Sequence, residues 1–326
     1  MNTNTLHDEL YNLTAHKMKA EFGDKIEIQR TEAIKTNGLK DSMLVKLKDR
    51  QIGIPLYLSD FAEDVEQGAT LEQVSNEMCN LYRKHLYDNV ELPILDYGHA
   101  KENLYCVVVN KERNQNLIDT GTIYQEIPNT DLALIVRYKM DSTELGQASF
   151  VVKQNQLTYL QITEAEAIEF AKTNSCKDDY SIKSMGDIFR EMGMPEEMLN
   201  DMNVDDMMYV VTNNDKLYGA TGVFISKELR EEVVSKVNCD KGVYIIPSSI
   251  HETIVVPAYL ESENIKEMIK DVNASVVSDS DFLSDNLYYC DCKLNLHIAS
   301  TELMEQLDQM EETVKIVDLC HSTMHM

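Results

Sequence analysis

The sequence predicts an α+β fold with mixed, mostly antiparallel sheets and packed helices, arranged in two subdomains. Candidate strands come in pairs joined by short turns, and single helices separate the pairs, whereas a doubly wound α/β fold would alternate strand and helix throughout. The chain has 326 residues, of which 43% are apolar, so it is long enough to fill two cores. We therefore expect a globular protein built in two parts.

The first elements are a helix and a hairpin. The helix begins near Thr5 and ends near Gly23, and its apolar residues share one face: Leu6, Leu10 and Leu13. Asn37-Gly38 is a strong turn signal between two runs of alternating apolar residues, which predicts a β-hairpin. The apolar positions of its strands are Ile26, Ile28, Met43, Val45 and Leu47.

A third strand and a second helix follow. Residues 52–58 predict the strand. Thr70 and Gln73 have the spacing of a capping box, which predicts a helix that runs to about Tyr87. The apolar face of that helix is predicted to contain Leu71, Val74, Met78 and Leu81.

Two near-continuous apolar runs, residues 105–109 and 131–138, are typical of strands covered on both faces, so we expect them to be central strands. Residues 150–153 predict another strand. Thr163 and Glu166 then form a second capping box, and the apolar residues of the helix they begin are Ala165, Ile168 and Ala171.

The composition changes to polar, acidic and methionine-rich sequence over residues 175–206, so we place the subdomain boundary near residue 178. The predicted subdomains are residues 1–178 and 179–326. Seven methionines crowd this region: Met185, Met192, Met194, Met198, Met202, Met207 and Met208. Methionine fills gaps in cores and also forms adaptable binding surfaces. Core filling is the favoured interpretation, and binding of a protein partner through residues 185–208 is the alternative.

Beyond the boundary, residues 207–212, a turn at 213–216 and residues 217–224 predict a second hairpin, in which Gly219 and Gly222 indicate a bulge or a close backbone approach. A helix that begins at Ser226 carries apolar residues at helical spacing: Leu229, Val233 and Val237. The remaining predictions are a helix at 265–272, a strand at 287–290 and a last helix with Leu303, Leu307 and Met310.

The densest group of reactive side chains lies in residues 243–257, where two β-branched runs flank a polar hinge of Ser248, Ser249, His251 and Glu252. Ser249 and Glu252 are spaced as a capping box, so the favoured interpretation is a strand, one capped helical turn and a strand. The alternative is a serine hydrolase-like enzyme with Ser248 or Ser249 as nucleophile, His251 as base and Glu252 or a distant carboxylate as orienting group. Because triads are assembled in space rather than from neighbours in sequence, we assign no catalytic residue.

We expect no metal and no cofactor. The residues of zinc-ligand type are Cys290, Cys292, Cys320, His321 and His325, but a C-x-C whose sulfurs share one face of a strand lacks the spacing of a structural zinc site. Residues 201–205 begin like a calcium loop, yet Asp206 and Thr212 stand where glycine and glutamate are needed. The glycine-rich nucleotide motifs and the G-x-S-x-G and H-E-x-x-H motifs are absent from the sequence.

Charge and cysteine content restrict the partner and the location. Thirty basic and fifty-six acidic residues give a net charge of −26, which disfavours nucleic acid because phosphate binding depends on lysine and arginine. Seven scattered cysteines favour reduced thiols, and the first residues lack the basic start and apolar stretch of a signal peptide. The longest apolar runs are strand-sized. We therefore expect a cytoplasmic protein that binds neither nucleic acid nor membranes.

Residues 207–213, the tripeptide Tyr218-Gly219-Ala220 and residues 244–257 resemble a bacterial family known only as domain of unknown function 5688, with looser similarity at 131–138, 160–166 and 171–174. The resemblance implies a bacterial cytoplasmic protein with a shared α+β fold, and it supplies no catalytic residue. The expected function is a non-enzymatic protein-interaction or accessory module.

Overall fold

The computed structural model describes residues 3–50, 53–86, 95–140, 148–202 and 207–306. The chain divides into two compact units, one that precedes Leu95 and one that begins there. Each contains helices and antiparallel sheet, so the predicted α+β class is confirmed. Among the described helices, none is both long and apolar enough to cross a membrane.

The first unit packs three helices with a three-stranded antiparallel sheet of order β1-β2-β3. Its elements are α1 (Thr3–Phe22), β1 (Ile26–Lys35), β2 (Gly38–Leu47), β3 (Ile54–Tyr57), α2 (Leu58–Glu66) and α3 (Leu71–His85), with a 3-10 turn at Gly23–Lys25. The helix and hairpin predictions are confirmed, although Thr36 and Asn37 form the turn and Gly38 is already paired with Lys35. One core joins residues of all these helices and strands.

Two details of the first unit differ from prediction. The predicted strand over 52–58 ends earlier, because Leu58 is the first residue of α2, a helix that the sequence analysis missed. The capping box of Thr70 and Gln73 is confirmed at the start of α3, but the buried face of α3 runs through Val74, Met78 and Tyr82, so Leu81 is exposed. Tyr87 lies outside the described residues.

Over its described residues, the second unit contains two sheets. Its helices are α4 (Tyr97–Asn103), α5 (Gln115–Asp119), α6 (Leu157–Leu160), α7 (Glu164–Cys176), α8 (Met185–Glu191), α9 (Glu196–Met202), α10 (Thr221–Ile225), α11 (Lys227–Val237) and α12 (Ser262–Ser275). Its strands are β4 (Leu104–Asn110), β5 (Tyr124–Glu126), β6 (Leu132–Lys139), β7 (Ser149–Val151), β8 (Tyr180–Ser184), β9 (Tyr209–Asn213), β10 (Val243–Ile246), β11 (Thr253–Pro257), β12 (Tyr288–Cys290) and β13 (Leu296–Ile298). Gln154–Gln156 forms a 3-10 turn, and residues 301–306 are helical.

The smaller sheet has the order β4-β6-β5, and β7 also pairs with β6. Of the two strands predicted to be central, only β6 has strands on both sides; the prediction for β4 is wrong, because β4 is an edge strand. On the edge of β4 that faces away from β6, side chains of two helices bond to the strand's N–H groups. The Ser175 hydroxyl of α7 accepts from the Cys106 N–H, and the Thr221 hydroxyl of α10 accepts from the Val108 N–H, both at 3.0 Å. Such an edge needs the same apolar residues as a central strand, since helices cover it.

The larger sheet has the order β13-β12-β10-β11-β9-β8, and every pair is antiparallel. The strands predicted on either side of the polar hinge are confirmed as β10 and β11. The return strand predicted over 217–224 is wrong, because the second half of that segment belongs to helix α10. The close backbone approach is confirmed: a Cβ on Gly219 would lie 2.5 Å from the Asn213 backbone nitrogen, and one on Gly222 would lie 2.3 Å from the Tyr180 ring.

The boundary predicted near residue 178 falls inside the second unit. The main core of this unit takes buried residues from both sides of that position, among them Val136, Ala171, Val211 and Ile245. The Tyr180 hydroxyl also donates to the Ser175 carbonyl at 2.9 Å. The division into compact units lies near residue 94 instead.

Candidate functional site

The polar hinge between β10 and β11 is an irregular loop. The His251 N–H donates to the Ser249 hydroxyl at 3.0 Å, the Ser249 N–H donates to the Glu252 carbonyl at 3.2 Å, and the Ser248 hydroxyl donates to a Glu252 carboxylate oxygen at 3.3 Å. The predicted capped helical turn is therefore wrong. The turn does not form because the Ser249 hydroxyl accepts from the N–H of His251, two residues on, whereas a cap would accept from the N–H of Glu252, three residues on.

The ring partners of His251 are Tyr218 and Asp281 rather than the serines. Its Nδ1 accepts a hydrogen bond from the Tyr218 N–H at 3.1 Å, and its Nε2 lies 3.4 Å from an Asp281 carboxylate oxygen. Because Nδ1 is an acceptor here, the proton of the neutral ring is on Nε2. The structure brings Ser248, Ser249 and His251 into one loop, but in the described residues it does not pair either serine hydroxyl with the ring.

Tyr218 is the residue that this histidine positions. Its φ of 60° is left-handed, which is unusual for an aromatic residue and costs energy. The Asn213 side chain holds the preceding residue from both sides, since it accepts from the Leu217 N–H and donates to the Leu217 carbonyl. The Tyr218 ring centroid lies 5.6 Å from that of His251 and 6.5 Å from that of Tyr105. Such maintained strain is typical of functional positions.

A cavity of about 210 Å³ lies beside Tyr218. The closed edge of β4 forms one side, where the Asn174 amide donates to the Leu104 carbonyl at 2.7 Å. The charged and aromatic residues of its lining are Glu102, Tyr105, Lys139, Asp178, Tyr180, Asp215 and Tyr218. None of these was predicted as a site residue. Tyr218 lay within a segment that carries the family resemblance, which was the available signal.

Three methionines of residues 185–208 lie on the surface: Met192, Met198 and Met207 are 77%, 58% and 44% exposed. Met185, Met194 and Met208 are half-buried, and Met208 packs against a core cluster of the second unit. The favoured interpretation of core filling is thus wrong for the three exposed methionines, whereas it fits Met208. Their neighbours are acidic: Glu191 pairs with Lys183, Glu196 pairs with Arg190, and Glu197 is exposed.

The family model described as "Family of unknown function (DUF5688)" matches residues 8–291. The chain belongs to this family. No curated protein and no solved structure matches it. The matched region of the DUF5688 chain contains the hinge, the cavity and the methionines just described.

The last residues of the match are next to the cysteines considered as zinc ligands. The prediction that Cys290 and Cys292 share a strand face is wrong, because β12 ends at Cys290 and the chain turns there. Cys290 is fully buried, whereas Cys292 is exposed and its sulfur donates to the Asp240 carbonyl. Cys320, His321 and His325 lie outside the described residues.

Within the described ranges, no group of three or more histidine, cysteine or acidic side chains could hold a metal ion. Of the calcium-like segment at 201–205, residues 203–205 lie outside the described residues, as does Asp206. Of its last positions, Thr212 lies on β9.

The two neighbouring thiols are expected to react at very different rates. Burial raises the pKa of Cys290 from 9.0 to about 11, so its thiolate fraction near pH 8 is roughly 100-fold below that of an ordinary thiol. The buried neutral thiol contributes stability below pH 9, and that contribution is lost as pH rises through about 11. Mass-spectrometric mapping of iodoacetamide labelling should find Cys292 modified first and Cys290 modified only after denaturation. Equal native labelling at both positions would contradict the burial of Cys290.

Proposed function

We propose that the chain is a non-enzymatic interaction module of the bacterial cytoplasm, which binds a partner protein through the methionine segment, defined as residues 185–208. The observation that carries this proposal is the exposure of Met192 and Met198 on the surface of a unit that has a large buried core elsewhere. Flexible thioether side chains adapt to the shape of a bound segment, which makes them suited to binding apolar helix faces.

The charges around the methionines indicate the chemistry of the partner. Helices α8 and α9 contain five acidic residues and one basic residue, Arg190, and the chain carries a net charge of −26. A basic amphipathic segment would match both the apolar side chains and the acidic surroundings. The same charge disfavours a nucleic acid, which would be repelled.

The test is capture of partners from the native cytoplasm by the full-length chain and by matched variants. Met192→Gln with Met198→Gln replaces two exposed apolar side chains by polar ones of similar length. We expect this double variant to lose at least about 10-fold in affinity for its main partner while it keeps the wild-type melting temperature. The captured partner should contain a basic amphipathic segment that binds as a synthetic peptide.

Met268→Gln is the matched control, because Met268 is also exposed but belongs to α12. It should retain the partner. Full retention of every specific partner by the Met192 and Met198 double variant would refute the methionine segment as the binding surface.

A further inference from the structure

Arg137 is a half-buried cation that has no acidic partner among the residues that the structure describes. Four other arginines form ion pairs with carboxylates, as in Arg113 with Asp279 at 3.0 Å and Arg83 with Glu21 at 2.6 Å, as well as Arg30 and Arg190. In the described part of the chain, no carboxylate lies within ion-pair distance of Arg137. Acidic side chains outnumber basic ones by fifty-six to thirty, so this lack of a partner is not caused by a shortage of carboxylates.

The hydrogen bonds of Arg137 use the hydroxyl oxygens of Tyr105 and Ser149 as acceptors, so their hydroxyl hydrogens can be donated to another group. Its Nε lies 3.2 Å from the Tyr105 hydroxyl oxygen, and its Nη2 lies 3.0 Å from the Ser149 hydroxyl oxygen. A guanidinium only donates, so both oxygens are acceptors in these bonds and both hydroxyl hydrogens can be donated elsewhere. Nη1 makes no hydrogen bond to any residue that the structure describes. The cluster therefore offers several donors around one positive charge.

This donor cluster reaches the cavity beside Tyr218 through Tyr105, whereas Arg137 itself is not among the residues that line the cavity. Tyr105 pairs with Arg137 across β4 and β6, and Tyr105 and Tyr218 both line the cavity. The Arg137 guanidinium carbon lies 5.6 Å from the centre of the Tyr218 ring. Lys139, two residues further along β6, faces the same side of the sheet, also lines the cavity and has no carboxylate partner among the described residues.

Tyr218 adds a donor in a fixed position. Burial raises the pKa of its hydroxyl, although Arg137 acts in the opposite direction, so the group is protonated and can donate at neutral pH. The strained backbone and the His251 ring hold it in place. A preorganised set of donors without a negative partner matches a ligand that supplies only acceptors.

The rest of the lining limits the charge of that ligand. Glu102, Asp178 and Asp215 are exposed carboxylates of the same cavity, and Asp178 accepts from the Asn213 amide at 2.7 Å. A multiply charged anion such as a polyphosphate would be repelled by them. A single carboxylate can instead pair with Lys139 and accept from the Tyr105 hydroxyl, while a neutral or amino-substituted remainder lies near the acidic residues.

We propose that this cavity binds a small organic acid with a single carboxylate, of the size of an amino acid. Lys139 pairs with that carboxylate, the hydroxyls of Tyr105 and Tyr218 donate to it, and the Arg137 guanidinium, which is bonded to Tyr105, supplies a second positive charge nearby. The binding is independent of the methionine segment, so either proposal can fail without the other.

The experiment screens the common amino acids and short monocarboxylic acids, each at about 10 mM, for thermal stabilisation of the full chain. Inorganic phosphate and citrate serve as the anions of higher charge. We expect at least one monocarboxylate to raise the melting temperature of the wild type by about 2 to 4 °C, with smaller effects of phosphate and citrate. Isothermal titration of the best probe should then give one site per chain.

Arg137→Gln removes the charge that is bonded to the Tyr105 hydroxyl and should reduce that stabilisation by more than about half. Arg113→Gln removes a surface arginine of the same unit and should leave it unchanged. Lys139→Gln, at an exposed position, should weaken binding of the best probe about 3- to 10-fold. This variant provides an independent test if Arg137→Gln does not fold. The proposal is overturned if no monocarboxylate stabilises the wild type, if phosphate is the best ligand, or if the effect survives both the Arg137 and the Lys139 changes.

Discussion

Asp131→Ala is expected to destabilise the second unit by about 3 to 5 kcal/mol. The Asp131 carboxylate accepts hydrogen bonds from the Tyr288 hydroxyl, from the Ser284 hydroxyl at 2.8 Å and from the Asn110 amide at 3.0 Å. All three donors belong to buried residues. Removal of the carboxylate leaves three donors on buried residues without this acceptor.

The effect should be large because Asp131 connects the two sheets of the second unit. It immediately precedes β6 of the smaller sheet, and its carbonyl accepts from the Lys111 N–H at 2.9 Å. Tyr288 begins β12 of the larger sheet. Burial raises the pKa of the Tyr288 hydroxyl, which is therefore held as a neutral donor; its contribution is complete below about pH 10 and declines at higher pH.

Two matched variants separate this role from a general effect of charge removal. Asp131→Asn retains the shape and one carbonyl oxygen, so about half of the loss should remain. Asp279→Ala removes a carboxylate that is 96% exposed and should change stability little. Because a chain of two units need not unfold in one step, hydrogen exchange of β6 and β12 amides under increasing urea is the suitable measurement. Unchanged exchange in Asp131→Ala would refute the proposed connection.

Local signals in the sequence predicted much of the local structure, although the third predicted capping box, Ser249 with Glu252, does not form. The capping boxes at Thr70 and Thr163 both appear with the expected bonds, because cap residues satisfy amides within their own helix. Strands β10 and β11 were recognised from their β-branched composition. The buried face of α7 was recognised only in part: Ala171 is buried and Ile168 packs against the core as predicted, but Ala165 is exposed and the buried Ala167 and Ser175 were missed. Small residues give no clear apolar periodicity, so packing partners decide such a face.

The candidate site was predictable only in part. His251 was recognised as a residue with chemical potential, but its partners Tyr218 and Asp281 are separated from it by 33 and 30 positions and are brought together by the fold. Arg137 carried a usable signal that was not interpreted: it is the charged residue inside the apolar run 131–138, on the strand that became central. A cation in such a position needs either a buried partner or a function.

Gly219→Ala is expected to destabilise the second unit by about 3 kcal/mol or more, the same range as the loss of Asp131. Gly219 lies at the point where the segment that carries Tyr218 meets β9 and the hinge. A Cβ there would lie 2.5 Å from the Asn213 nitrogen, 2.6 Å from the Thr212 hydroxyl and 2.7 Å from the His251 carbonyl oxygen. Two of these atoms are backbone, so a rotamer change cannot make room.

The same substitution should also disturb the site next to it. Relief of the contacts requires the segment to move away from the hinge, which lengthens the bond from the Tyr218 N–H to the His251 ring and releases the strained Tyr218 backbone. Gly98→Ala is the matched control within the same unit, because the nearest atom to its added Cβ would be an Asp96 oxygen at an ordinary 3.5 Å.

Chemical denaturation and hydrogen exchange should therefore show a large loss of stability for Gly219→Ala and almost none for Gly98→Ala. Any Gly219→Ala protein that remains folded at low temperature should also have lost stabilisation by the best monocarboxylate probe, since Tyr218 is no longer held beside the cavity. A variant with wild-type stability would show that β9 and the hinge can separate at no cost, and that the left-handed Tyr218 is not maintained by close packing at Gly219.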